Sequence, residues 1–345
     1  MPIIRSRAPV RISFGGGGTD LSPYTEEYGG VVLNAAINRY AYTTFIPRDD
    51  KKIILDSYDL NLRLEYEDIS KIELNGELDL VKSVILYFKE HHPHFFEKHP
   101  HGFEIHTNCE IPPRSGLGSS ASMFASVIGI FNRLGREYRI DDYELAELAF
   151  YLEREKLNNA GGRQDQYATV FGGINFIEFK GDNFVRVNPF NLKPDYLLEL
   201  ESDLLLLNVG KREDSGDVIT DQVENLKKDK KSIEAMHRTK ELTAQLKSVL
   251  IKGDFNRFGE LIDEAWQEKK KLSSKISTGS IDEIYEKLQK VGGIGGKITG
   301  AGGGGHMLFY CRPGRRCHVR QKALDLGLKD VSFAFDYDGL TTWII

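Results

Sequence analysis

Residues 112–121 read Pro112-Pro113-Arg114-Ser115-Gly116-Leu117-Gly118-Ser119-Ser120-Ala121, and the run they open, Ser119 to Leu134, is apolar on nearly every side. A helix carrying Met123, Phe124, Val127, Ile128, Ile130 and Phe131 around its circumference is buried inside its domain. The first turn of such a helix presents free N–H groups and the positive end of its dipole to the glycine loop. Gly116, Leu117, Gly118, Ser119, Ser120 and Ala121 therefore form a candidate anion site, with hydroxyls for phosphate or metal. The competing reading is a tight turn with Ser119 as N-cap. Gly116, Gly118 and Ala121 also satisfy a dinucleotide-binding GxGxxG/A pattern, but the double proline lengthens the strand-to-helix turn. No second strand ends in an acidic residue about 20 positions later, so the context for an NAD-dependent dehydrogenase is missing.

Glycine is abundant throughout, with 34 in 345 residues. That is about 10% against a usual 7%, and the excess is clustered. One cluster ends the stretch Ala8-Pro9-Val10-Arg11-Ile12-Ser13-Phe14-Gly15-Gly16-Gly17-Gly18-Thr19-Asp20, a strand running into a loop tipped by a carboxylate. Taken alone, Asp20 reads as an N-cap for residues 21–28. Another is Lys297-Ile298-Thr299-Gly300-Ala301-Gly302-Gly303-Gly304-Gly305, which is no Walker A loop because Ile298 stands where Ser or Thr is required. Consecutive glycines weaken any regular element, so close backbone approach to a ligand is expected there. Three such loops call for a ligand with several anionic groups.

Length alone suggests two domains or one large one. Alternating apolar residues predict strands over 3–14, 31–48, 51–64 and 103–109, and a hairpin over 172–179 and 184–187. Helical spacing predicts helices over 79–90 and 141–155, the latter with Asp141 and Glu144 as a capping box. Further helices are expected over 217–252, 254–272 and 281–291, the last with Ser280 and Glu283 as capping box. The basic run at 227–231 lies mid-helix as a solvated face, and strands over 306–311, 331–335 and 341–345 close the chain. Strands and helices mix without regular βαβ alternation, which defines an α+β fold in two halves, 1–194 and 195–345.

Composition narrows the classes. Lys plus Arg number 46 and Asp plus Glu 51, a net charge of −5 that argues against nucleic acid as partner. No apolar run nears the roughly 18 residues of a membrane span. Three cysteines form no CxxC pair, pointing to a reducing cytoplasm. Six histidines between 91 and 106 alternate with Pro and Phe, without paired acids at ligand spacing, and read as a surface connection rather than a metal site.

The three glycine blocks, in this order, resemble the motifs of the GHMP small-molecule kinases: Ala8-Pro9-x-Arg11 the first, 112–121 the phosphate loop, 297–305 the third. The resemblance spans essentially the whole chain. It implies a ribosomal-protein-like N-terminal ATP-binding domain and a ferredoxin-like C-terminal domain, with the active site in the cleft. It implies Ser120 and Glu153 as Mg²⁺ ligands, Glu153 lying twelve residues before Asp165 as in galactokinase-like members. It implies Asp165 as the carboxylate facing the acceptor hydroxyl, Arg11 beside it, and Gly302, Gly303 and Gly304 closing over acceptor and γ-phosphate. Gly17-Gly18-Thr19-Asp20 stands where galactokinases have Gly-Glu-His-Thr-Asp, which leaves Asp20 as sugar-hydroxyl ligand. That string and Gly161-Gly162-Arg163-Gln164-Asp165-Gln166-Tyr167 resemble the family's heptose 7-phosphate branch, which phosphorylates the anomeric hydroxyl; fucokinases share much of the pattern. A phosphorylated sugar brings a dianion to the pocket, and Arg163, Lys211 and Arg212 are the candidate cations for it, with Gln164 alongside. The rival outside enzymes is a non-catalytic sugar or nucleotide sensor on the same fold.

Overall fold

A computed structural model of the chain describes residues 1–98, 100–135, 139–181, 184–210 and 215–345. The chain opens with β1 (Ile4–Gly15), buried along nearly its whole length. A short helix, α1 (Tyr24–Tyr28), leads to the 18-residue strand β2 (Gly30–Pro47). The stretch expected as one strand over 51–64 is a hairpin of β3 (Ile53–Ser57) and β4 (Leu62–Tyr66), turned through Asn61 at positive φ. Helices α2 (Asp79–His91) and α3 (Pro93–Lys98) precede β5 (Phe103–Cys109). Then come α4 (Ser119–Leu134), α5 (Asp142–Phe150) and α6 (Gln164–Phe171), followed by the hairpin β6 (Ile174–Lys180) and β7 (Phe184–Pro189). The capping box of Asp141 and Glu144 is present, but the expected helix does not run on to 155 in one form. Residues Tyr151–Lys156 continue it as a π-helix.

The second half starts with α7 (Pro194–Asp203), which sequence periodicity did not announce, and β8 (Leu204–Gly210). The expected 217–252 helix is two, α8 (Ser215–Lys228) and α9 (Lys230–Lys252). Asp229 leaves helical geometry and its carboxylate accepts from Lys231 N at 3.0 Å, so the basic run straddles a break instead of lying mid-helix. Next are α10 (Phe255–Lys270) and α11 (Gly279–Lys290); the latter is capped by Thr278 Oγ1 at Ile281 N, not by Ser280. The chain closes with β9 (Gly293–Ile298), β10 (Gly305–Cys311), α12 (Arg316–Asp325), β11 (Lys329–Asp330) and β12 (Thr341–Ile344). Most of the strand expected over 331–335 is irregular, and Phe335 contributes a single bridge to Ile37.

Two sheets result. An eight-stranded sheet runs β12-β1-β2-β5-β3-β4, with β6 and β7 continuing from β2. A four-stranded sheet runs β11-β8-β10-β9. Among the described residues β3 against β5 is the parallel pair, so no doubly wound sheet exists to support a dinucleotide fold. Strand β12 returns from the end of the chain to pair antiparallel with β1. The length of β2 lets it serve two neighbours on one edge: its start pairs with β6 and its end with β5.

The core that positions the site is α4 packed on β1 and β2. Pro9 cannot donate to the ladder, and the β1–β2 register shifts between Pro9 and Val10. Its carbonyl accepts from Ser122 Oγ of α4 at 2.7 Å and Thr169 Oγ1 of α6 at 2.6 Å. Two helices are thereby clamped to β1 just before Arg11. On the other side α9 and α10 cover the same strand, with Phe14 edge-on to Phe258 at 5.3 Å.

Candidate active site

All three glycine loops meet. Gly116 and Gly118 take φ near 80°, the left-handed region that favours glycine, and Gly118 is the N-cap of α4. Ser119 is thus the first helical residue rather than the cap. Among the described residues no side chain caps the helix, so its first-turn N–H groups face the loop. The third glycine loop packs directly on this one. A Cβ on Gly116 would meet Thr299 O, one on Gly300 would meet Gly116, and one on Gly305 would overlap Ser115 O. His306 seals the contact through Nδ1, 2.9 Å from Ser115 O. Gly302 abuts Ile276, and Gly303 N donates to Ile276 O at 2.8 Å. The close approach that these glycines permit is therefore backbone to backbone, and Gly300 and Ala301 are the residues of the loop that line the cleft, instead of Gly302, Gly303 and Gly304.

That cleft has a volume of about 750 Å³, and Arg11, Ser119, Ser120, Glu153 and Asp165 all line it. A recess of about 60 Å³ beside it shares Arg11, Asp165, Gly300 and Ala301 and adds Gly18, Asp20, Gln164 and Lys269. Arg11, whose side chain is 3% exposed, is the keystone. Its Nε and Nη2 donate to Asp165 Oδ1 at 2.8 and 2.6 Å, and its Nη1 donates to Gly116 O at 2.6 Å. One guanidinium fork thus fixes the carboxylate at the start of α6 relative to the phosphate loop. Asp165 keeps 18% of its side chain exposed, on the cleft side of the pair.

Glu153 lies in the π-helical turn, buried, with Oε2 accepting from Gln166 Nε2 at 2.6 Å and Oε1 3.3 Å from Arg154 Nη1. A π-turn inserts one extra residue, which re-aims the carboxylate, and such turns gather at functional sites. Asp20 is buried and does not cap α1, whose N-cap is Pro23. It accepts instead from Gly18 N at 3.0 Å and from the backbone and side-chain amides of Gln164 at 3.2 Å. Burial, with the Asp165 charge adding to it, pushes its carboxyl above the usual carboxylate value against these hydrogen bonds. Gly162 is needed because a Cβ there would overlap Asp20 Oδ2.

Other expected ligands take structural positions. Thr19 is fully buried; its Oγ1 lies 2.8 Å from the carbonyls of both Gly16 and Val31, which share its one proton, and accepts from Val31 N. A hydroxyl so engaged holds the glycine loop rather than a sugar. Arg163 lies over the Phe150 ring at 4.6 Å and pairs with Glu147 at 3.6 Å, outside the residues lining the cleft. Lys211 and Arg212 lie outside the described residues. Two lysines to which the sequence reading gave no individual role, Lys269 and Lys297, are both 3% exposed. Lys269 sits at the spacing of Ile262, Ala265 and Trp266 on the buried face of α10, and a lysine there was the available signal. Lys297 heads the third glycine block; burial first, then the charges of Lys269 and Arg11, push its ammonium well below the usual lysine value, while Asp20 opposes.

An uncapped helix start, a glycine loop packed upon it and an Arg–Asp pair in one cleft are the parts of a phosphoryl-transfer site. The chain belongs to the GHMP kinases: the family's N terminal domain matches residues 79–173 and its C terminal domain residues 246–322. Over its full length it is 36% identical to the D-glycero-alpha-D-manno-heptose 7-phosphate kinase of Campylobacter jejuni, with 100% of both chains covered. The crystal structure of a D-glycero-D-manno-heptose 1-phosphate kinase from Bacteriodes thetaiotaomicron superposes with a TM-score of 0.80 at 32% identity, covering 99% of each chain. The bifunctional fucokinase/GDP-fucose pyrophosphorylase of Arabidopsis thaliana is 28% identical over 92% of this chain, which spans 30% of that protein.

Proposed function

We propose that this GHMP kinase transfers the terminal phosphoryl group of ATP to the anomeric hydroxyl of D-glycero-D-manno-heptose 7-phosphate. The observation that carries the reading is the Arg11–Asp165 pair, tied through Gly116 to an uncapped helix N-terminus in the same cleft. The N–H groups of Ser119, Ser120 and Ala121 and the helix dipole receive phosphate oxygens. Asp165 accepts the proton of the anomeric hydroxyl as its oxygen bonds to the γ-phosphorus and the bond to the bridging oxygen of ADP breaks. Arg11 orients Asp165 and offers positive charge next to the transferring group. The substrate is supported by the full-length relatives at 32–36% identity, which act on heptose phosphates by name.

Ser120 and Glu153 suit Mg²⁺. Both line the cleft with hard oxygen donors, and Mg²⁺ beside a nucleotide takes few protein ligands and fills the rest with phosphate oxygens and water. Among the described residues no cluster of three His, Cys, Asp or Glu forms a self-sufficient metal cage. When bound, the ion neutralises charge on the phosphate oxygens. A reducing cytoplasm fits three unpaired cysteines, of which Cys109 and Cys311 are buried. No helix among the described residues is long and apolar enough to cross a membrane.

The test is ADP release measured sugar by sugar, with the heptose 7-phosphate, unphosphorylated heptose, fucose and galactose. The heptose 7-phosphate is expected to give the highest kcat/KM. Preferential turnover of fucose transfers the assignment to the fucokinase side of the family, and absence of any sugar-dependent ADP release supports a sensor.

A further inference from the structure

Ser119 and Ser120 of the phosphate loop line the cleft, whereas Asp20 and Gln164 line the recess beside it. Nucleotide phosphates and acceptor hydroxyls are thus drawn to opposite sides of one boundary, and the phosphoryl group crosses it during transfer. The residues that wall both spaces are Arg11, Arg154, Asp165, Ile219, Gly300 and Ala301. Two of them are cations, and they differ in how fully they are engaged. Arg11 spends Nε, Nη1 and Nη2 on Asp165 and Gly116 O.

Arg154 does not. Its Nε donates to Gly162 O at 3.4 Å and its Nη1 to Ala160 O at 3.2 Å, with Glu153 Oε1 3.3 Å from Nη1. Among the described residues Nη2 has no acceptor, so two N–H groups of a side chain only 13% exposed are left open at the boundary. Neighbouring residues on an α-helix do not face each other, yet in the π-helical turn Glu153 and Arg154 both wall the cleft. Gly161 makes room for the guanidinium. A Cβ there would stand 2.3 Å from Arg154 Cζ and 2.6 Å from Nη2, so the glycine has to be bare to admit it.

In a loose phosphoryl-transfer transition state, negative charge spreads over the three equatorial oxygens. A cation with open N–H groups, held in place and largely out of water, stabilises that charge without reorganising. We infer that Arg154 is a second catalytic arginine, donating through Nη2 to the equatorial oxygens of the phosphoryl group as it crosses, and that Gly161 is bare to let it stand there. This rests on the phosphoryl-transfer reading above and on no particular sugar. Arg154 gives up no proton: phosphorus gains the acceptor oxygen and loses the bridging oxygen of ADP, and the hydroxyl proton goes to Asp165.

The experiment compares wild type with Arg154→Met, Arg154→Lys, Gly161→Ala and the Arg154→Met/Gly161→Ala pair in steady-state ADP release, on whichever sugar wild type turns over. Arg154→Met should lower kcat at least about 10²-fold while KM for ATP and for the sugar stay within about threefold. Arg154→Lys restores a point charge and should recover about tenfold or more of that loss. An alanine at 161 displaces the flexible end of Arg154, so Gly161→Ala should lower kcat in wild type and cost at least about tenfold less on top of Arg154→Met. A kcat for Arg154→Met within about threefold of wild type overturns the inference. So does a loss carried by the sugar KM, because Arg154 would then only fasten the 160–162 loop, whose Gly162 abuts Asp20. Equal costs of Gly161→Ala in the two backgrounds overturn it as well.

If wild type turns over no sugar, the substrate reading has failed, and Arg154 is judged by calorimetry of ADP and Mg²⁺ with and without aluminium fluoride, a mimic of the transferring group. Wild type should bind ADP at least about tenfold more tightly with the mimic, and Arg154→Met should lose that gain while keeping its affinity for ADP alone. An equal gain in both proteins, or none in wild type, overturns the inference. Thermal melts confirm folding; should Arg154→Met not fold, Arg154→Lys and Gly161→Ala carry the comparison, and an unchanged kcat in both overturns it.

Discussion

Replacing Arg11 by lysine keeps the charge and removes the fork. The guanidinium now bridges Asp165 Oδ1, reached from two nitrogens at 2.6 and 2.8 Å, and Gly116 O at 2.6 Å. A lysine ammonium on its single stem reaches Asp165 or Gly116 O, not both. At least one charge-assisted hydrogen bond is therefore lost, worth about 1.5–3 kcal/mol. At about 1.4 kcal/mol per decade, kcat/KM should fall roughly 10- to 150-fold. The coupling is tested by a double-mutant cycle with Asp165→Asn, using coupled ADP release for activity and thermal melts for folding. Because both residues act through one contact, Asp165→Asn should cost at least tenfold less in the Arg11→Lys background than in wild type. Effects that add within about 0.5 kcal/mol would refute the reasoning, since sites sharing no contact behave that way.

Asp165→Asn alone should lower kcat by at least about 10²-fold with KM for ATP nearly unchanged, as expected when a proton acceptor is lost and nucleotide contacts stay; near-normal turnover in the folded variant removes the role. Ser120→Ala and Glu153→Gln should each raise the Mg²⁺ concentration for half-maximal activity several-fold, read from Mg²⁺ titrations at fixed ATP; unchanged titrations in both make these residues structural. His306 should make the protein acid-sensitive. Its Nδ1–H is assigned as donor to Ser115 O and its Nε2 faces Asn208 Nδ2 at 3.5 Å, which suits a neutral ring. Burial lowers its value below 6.5, so below that pH the unfolded chain binds the extra proton and the fold loses stability until the lowered value is passed. Tm of wild type should therefore fall, relative to His306→Gln, as pH drops from 7 to 5; parallel curves would contradict this.

Local patterns carried much of the architecture. The alternation of β1 and β5, the all-round apolar face of α4 and the Asp141–Glu144 capping box describe short-range preferences, and the chain follows them. Likewise the order of three glycine blocks was legible, because glycine spacing reflects backbone conformation near the residue itself. What only the fold decided is who faces whom. Arg11 and Asp165 are 154 positions apart, and their pairing depends on Pro9 clamping β1 to α4 and α6. Thr19 and Asp20 are neighbours in sequence, yet one hydroxyl is spent on the backbone of its own loop while the other side chain is turned toward Gln164. The glycines at 302–304 looked like a ligand cover, yet Gly302 and Gly303 pack beside Ile276, because nothing local indicates which backbone they approach. The burial of Lys269 and Lys297 was not legible for the same reason. A lysine on a buried face has meaning only when its burial and its charged neighbours are known, and both come from elements distant in the chain.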